Sequence, residues 1–406
     1  MTPRTRRLLL SYTALVAAAL TTMSACRSTT PGPAAPPRAG RTRPLPMTEP
    51  IRGMWVARFH YRYADDVRTI IRSCAELGCN TVYWQVRGAG TVLYPSRIEP
   101  WAPEFDYADP GFDPLALAVE EAHKHGLRLE AWVNVMPGWR GTKPPPMPEQ
   151  LWNARPGWFL HDAAGRRQPL GDFYEILNPC LPEVRRYLVT LMAEIVHNYD
   201  VDGLHLDYIR YAWDTLPNAS KLYPRDARTL RLYRNETGKS PDDDPRGWDR
   251  WRANQLTRLV ADIRAMINRQ RPGASLTAAV VRRPDLAYDR FLQNGIAWHR
   301  TGLVDALLPM AYTDNLSQFR EDIAAYRALV PGGRIVPGIG VYKLDSATDF
   351  RQQMELCRGW GGGFALFSYE SLYVAHGDRR RKAEQIRKEN ATRAMRRSVV
   401  SDFVVR

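Results

Sequence analysis

Three carboxylates stand just beyond short β-branched or aromatic runs: Asp207 ends VDGLHLD, Asp314 follows VDALLPMAYT, and Glu370 follows GFALFSY. Two carboxyls facing each other across a cleft, one ionised and one held protonated, are the minimum apparatus for hydrolysing a glycosidic bond. Asp207 is the candidate nucleophile or charge stabiliser, with Arg58 or Arg210 placed to lower its pKa and His205 to hold its geometry. Glu370 and Asp314 are the alternatives for the proton donor. A separation of about 5–5.5 Å between the working carboxyls would mean retention of configuration, and about 6.5–9.5 Å inversion. The plainer alternative for Asp207 is an ion pair that closes a scaffold.

The runs that position these groups recur through residues 51–375, each followed by a helical pattern, which is the signature of βα units and a parallel sheet. Eight begin near Ile51, Asn80, Leu127, Val201, Ala274, Val304, Arg334 and Gly363, spaced by 29, 47, 74, 73, 30, 30 and 29 residues. A bare βα unit takes about 30 residues. The pattern therefore predicts an α/β fold, a (β/α)8 TIM barrel with long loops after strands 2, 3 and 4. An open doubly wound sheet is disfavoured because no Gly-rich phosphate loop follows the first strand.

In such a barrel the chemistry sits at the C-terminal strand ends. Side chains alternate between barrel interior and helices. The apolar set Leu129, Ala131, Val133 and Val135 faces the helices, which turns Glu130, Trp132 and Asn134 inward. By the same parity Leu204 and Leu206 face out while His205 and Asp207 face in. Strand ends also offer Arg58 and His60, Gln85 and Arg87, and Tyr312. Glu130 lies about 13 Å deeper than the mouth at 3.3 Å per residue, a core hydrogen-bonding position. The three long loops carry Trp101, Trp139, Trp152, Trp158 and Trp213, rings on which a pyranose could stack or which could simply pack the loops. Arg58, His60, Gln85, Arg87, Asn134, Trp139, His205, Tyr208, Trp213 and Tyr312 form the expected substrate-binding set.

The chain has 406 residues, 44% hydrophobic and 25% charged, which excludes a disordered, collagen-like or multi-span membrane protein. Its net charge of +14 would fit nucleic acid, but residues 1–50 and 376–406 each carry +6 and the interior only +2. No nucleic-acid partner is expected from so neutral a body. Arg4, Arg6 and Arg7 precede the 13-residue apolar stretch Leu8 to Leu20, too short for a membrane span. Met23-Ser24-Ala25-Cys26 resembles a bacterial lipobox, so Cys26 is the expected lipidation site and membrane anchor, with ordinary signal cleavage as the alternative. The expected organisation is a signal peptide over 1–26, a Pro/Arg-rich linker over 27–50, the barrel over 51–375 and a basic C-terminal tail over 376–406. Cys74, Cys79, Cys180 and Cys357 allow three disulfide connectivities between which sequence cannot choose. No Cys or His cluster has metal spacing, and no cofactor is expected.

RGMWVAR, NTVYWQVRGAG, LEAWVNV, LNPCLPEVRRYL, VDGLHLDYIRY, PMAYTDN and GGFALFSYESL together resemble the glycosyl hydrolase-like 10 domain family of bacterial envelope proteins, many of them lipoproteins. The resemblance spans roughly residues 51–375. It implies a (β/α)8 barrel and glycosidase chemistry on a polysaccharide; in some relatives the substrate is peptidoglycan glycan strands stripped of stem peptides. It places Asp207 on the family's fourth-strand acid. Some members carry a second Asp next to it, where this chain has Tyr208. Two other classes stay open: a non-catalytic glycan-binding envelope lipoprotein, and a structural envelope protein whose basic tails bind anionic polymer.

Overall fold

The computed structural model describes residues 42–47, 50–213, 218–377 and 383–405. The expected signal segment, Cys26 and residues 27–41 of the linker lie outside them.

Ten strands form in chain order: β1 (Ile51–Val56), β2 (Thr81–Arg87), β3 (Arg128–Asn134), β4 (Pro137–Gly141), β5 (Gly171–Ile176), β6 (Gly203–Asp207), β7 (Ser275–Val281), β8 (Ala306–Met310), β9 (Gly338–Gly340) and β10 (Gly363–Phe367). Eight of them close a parallel barrel in the order β1-β10-β9-β8-β7-β6-β3-β2, while β4 and β5 pair as an antiparallel hairpin. Closure through β1, which pairs with both β2 and β10, excludes the open sheet. β9 is the shortest barrel strand and begins directly after Pro337.

The alternation holds as expected. Leu129, Ala131, Val133, Leu204 and Leu206 pack under the helices, whereas Trp55, Tyr83, Trp132, Leu308 and Ala365 fill the interior. Glu130 sits deep in that interior, accepting from Ser275 Oγ at 2.7 Å, Thr277 Oγ1 at 2.5 Å and Arg128 Nη2 at 3.0 Å. Large rings plug the bore, so only its upper end is left for a ligand. The long loops fall after β2, β3 and β6; the second of them is built around the β4–β5 hairpin.

Both flanks differ from expectation. The segment read as a basic tail forms the helix Ala383–Val405, which lies against the helix Ala347–Trp360 and supplies the barrel's last βα unit. Its Val399, Val400 and Phe403 are buried, with Phe403 5.9 Å from Phe364. The apolar triplet near the chain end is what a solvated tail would lack. Residues 42–47 of the linker lie along the barrel floor, where Leu45 N–H donates to Asp202 Oδ1 at 2.6 Å and Arg271 Nη1 to the Thr42 carbonyl at 3.0 Å. The four interior cysteines are buried free thiols, so none of the three connectivities forms.

Candidate active site

Asp207 is the last residue of β6 and pairs in register with Asn134 at the end of β3. The next residue, Tyr208, has φ +48°, a left-handed conformation that costs a residue with a Cβ about 1–2 kcal/mol. Such strain is kept where the surroundings enforce it. Here it turns the Tyr208 N–H onto Asp207 Oδ1 at 2.6 Å. Arg210 lies 4.2 Å over the Tyr208 ring and brings Nη1 within 3.5 Å of the same oxygen. Only 6% of Asp207 is exposed. Burial pushes its pKa above the ordinary carboxylate value, against the opposing pull of Arg210, the Tyr208 N–H and Trp132. The expectation of a lowered pKa is therefore corrected: desolvation outweighs the cation, and Arg58 is engaged elsewhere.

One wall of the mouth comes from β3 and the hairpin. Trp132 Nε1 donates to Asn134 Oδ1 at 3.0 Å, and Asn134 Nδ2 reaches the Tyr174 hydroxyl at 3.4 Å. Tyr174, on β5, meets the Tyr208 ring edge-on at 4.8 Å and also neighbours Arg58. Arg58 Nε donates to Glu104 Oε1 at 2.7 Å; Glu104 Oε2 is buried and has no hydrogen-bond partner among the described residues. Gln85 lies beneath, its Oε1 accepting from the Arg58 amide at 3.0 Å. On the opposite wall Tyr312 stacks on Phe367 at 4.9 Å. Burial first, then the charge of Asp207, pushes the Tyr312 phenol well above its ordinary pKa.

Glu370 follows β10 and Asp314 follows β8, and the structure separates their environments. Glu370 Oε2 lies 3.5 Å from His60 Nε2. Asp314 is exposed, and its carboxylate makes no hydrogen bond or ion pair among the described residues.

Four expected substrate contacts are corrected. Arg87 is sealed, its guanidinium bound to both oxygens of Glu99 at 2.8 and 2.7 Å and to the carbonyls of Asn134, Val135 and Pro137. It ties two loops together. His205 is buried beneath Asp207: Trp55 Nε1 donates to its Nε2 at 2.9 Å, leaving Nδ1–H for Thr277 Oγ1 at 2.8 Å, and desolvation holds the ring neutral with a pKa pushed down to about 3. Trp139 and Trp213 are buried with their indole N–H groups on the carbonyls of Lys143 and Arg290, so they pack loops. Among the described residues, exposed rings at this end include Phe59, Tyr63 and Tyr342, 42%, 53% and 48% exposed, in the turns after β1 and β9. Their position straight after a strand was the available signal. Tyr174 and Glu104 lie inside insertions without periodicity, where sequence offers none. Among the described residues no cluster of three or more His, Cys, Asp or Glu could hold a metal ion.

The glycosyl hydrolase-like 10 profile matches residues 50–342, which include Asp207, Glu104, Tyr174 and Tyr312. The chain belongs to the glycosyl hydrolase-like 10 family. Among relatives of this member, "Glycosyl hydrolase DigH" of Escherichia coli (strain K12) is 28% identical over 350 residues, 76% of each chain. "Glycosyl hydrolase YngK" of Bacillus subtilis (strain 168) is 26% identical over 263 residues, 58% of this chain and 46% of that one. The glycoside hydrolase domain of PgaB (BpsB) from Bordetella bronchiseptica superposes with a TM-score of 0.62 at 15% identity, covering 86% of this chain and 98% of that domain. Alpha-L-fucosidase isoenzyme 2 from Paenibacillus thiaminolyticus gives 0.59 at 15% identity over 87% of this chain and 48% of its own. At that identity the likeness is one of fold. Glu370, unlike Asp207, lies beyond the family match.

Proposed function

We propose that this glycosyl hydrolase-like 10 protein is an exported glycoside hydrolase that cleaves a cell-envelope glycan, with denuded peptidoglycan strands as the first substrate to try, and that Asp207 and Glu370 supply its carboxyl chemistry. The observation that carries the reading is the Asp207 carboxyl at a C-terminal strand end, held by the Tyr208 amide and Arg210 between Trp132 and Tyr312. Desolvation favours its protonated form while the two donors favour the ionised one. Glu370 is preferred over Asp314 as partner because a histidine N–H faces it. Export and anchoring rest on the basic, apolar and Ser24-Ala25-Cys26 sequence at the N-terminus. Release from the membrane fraction on Cys26→Ala tests the anchor.

Turnover of the purified chain on denuded peptidoglycan and a polysaccharide panel, beside Asp207→Asn, tests the chemistry. Equal product from both proteins would end the assignment. The low exposure of Asp207 favours a second reading, a non-catalytic glycan binder. Binding without cleavage, at an affinity that Asp207→Asn leaves unchanged, would establish it.

A further inference from the structure

Beside the mouth, between its β9 and β10 turns and the C-terminal helix, lies a cavity of about 320 Å³ lined by Tyr342, Glu370, Ser371, Thr392, Arg393 and Arg396. That is within the size range of small-molecule sites. We infer that this cavity is a glycan subsite for one uncharged pyranose unit, continuous with the mouth and floored by Tyr342. The inference rests on the glycoside hydrolase reading and deepens it.

Continuity comes from two side chains. The Tyr342 ring lies 6.2 Å from Tyr312 and 6.3 Å from Phe367, so a row of aromatic rings runs outward from the neighbourhood of Asp207. Glu370 faces His60 on the mouth side and lines the cavity on the other. A half-exposed phenol ring presents the apolar face that sugar C–H groups cover. At present the Lys343 ammonium stands 5.7 Å from that ring's centroid, on a flexible arm that a sugar can displace.

The walls are preorganised by the helix. Arg393 Nε donates to the Glu370 carbonyl at 2.9 Å; Arg396 donates through Nε to the Leu344 carbonyl at 2.9 Å and through Nη1 to the Ser371 carbonyl at 3.1 Å. The guanidiniums are also neutralised locally, Arg396 by Asp345 at 3.0 Å and Arg393 by Glu389 at 3.4 Å. With Glu370 added, the lining carries no excess of positive charge for an anionic sugar. Hydroxyl groups find acceptors and donors on both sides. The walls from Asp345 to Arg396 lie beyond the family match, which ends at Tyr342.

The test measures binding of β-1,4-linked N-acetylglucosamine oligomers, two to six units long, by calorimetry on the full chain carrying Asp207→Asn. Affinity is expected to rise with length. Tyr342→Ala should weaken the longest oligomer on the order of tenfold and leave the shortest within about twofold. Thr392→Trp, which fills the cavity from the helix, should do the same without touching the Asp207 pocket. Absence of binding, or a loss equal at every length, overturns the subsite. If the length-selective loss appears while the wild-type chain cleaves no glycan, the subsite stands and the hydrolase reading falls. If the wild type cleaves glycan and Tyr342→Ala keeps its length profile, the hydrolase stands and the subsite falls.

Discussion

His60 Nδ1 accepts the Ala57 amide proton at 3.1 Å, so the ring carries its own proton on Nε2, and that proton faces Glu370 Oε2 3.5 Å away. The tautomer is thus fixed by the backbone turn that follows β1. The approach is too long for a hydrogen bond, but it brings the half-exposed Glu370 carboxyl to a histidine at one edge of the mouth, a neighbour that Asp314 lacks among the described residues.

Glu370→Gln is therefore expected to lower kcat by about 10²–10⁴, the usual reach of a positioned acid or base, whereas Asp314→Asn should stay within about threefold of wild type. Steady-state rates on the best glycan substrate decide between them. Equal losses would return Asp314 to consideration.

Arg210 opposes the upward push that burial exerts on Asp207. If Asp207 acts in its ionised form, the acid limb of kcat/KM lies above the range of an ordinary aspartate. Arg210→Met should move that limb up by about one pH unit more, because a nearby cation favours the ionised form by at least this much. A pH–rate profile of the two proteins provides the reading.

Glu175, on β5 next to Tyr174, is buried, and desolvation raises its pKa from 4.5 to about 8. One oxygen accepts the Gly171 amide at 2.9 Å and the other has no hydrogen-bond partner among the described residues. Between those two pH values the folded chain binds this proton and the unfolded chain does not, so stability falls as pH rises through the interval and levels off above it. Glu175→Gln should accordingly raise stability by about 1–2 kcal/mol at pH 9 and leave it unchanged at pH 4. Thermal melts at both pH values would show it, and an equal effect at both would refute the assignment.

Phe403→Ala should destabilise the whole barrel by about 3–5 kcal/mol, the scale for emptying a large aromatic from a core, since the ring packs on Phe364 of β10. Denaturant unfolding measures this. A loose tail would give no change.

The barrel was legible because period and spacing are local: all eight runs become strands, and the parity of Leu129 and Leu204 correctly turns Trp132 and Asp207 inward. The site was legible only where a side chain's fate depends on its own strand. Arg87 and Trp139 carry binding chemistry in their side chains, but their partners, Glu99 and the Lys143 carbonyl, come from loops whose course no periodicity specifies. The same holds for Glu104 and Tyr174, brought to Arg58 from separate insertions. At the C-terminus abundant arginine hid the Val399, Val400 and Phe403 stripe, and the arginines themselves turned out to brace carbonyls.

Thr42 and Leu45 are fastened beside Asp202 and Arg271, under the strands' starting ends, whereas Asp207 opens at their finishing ends. The first described residues therefore meet the barrel at the end opposite the candidate site.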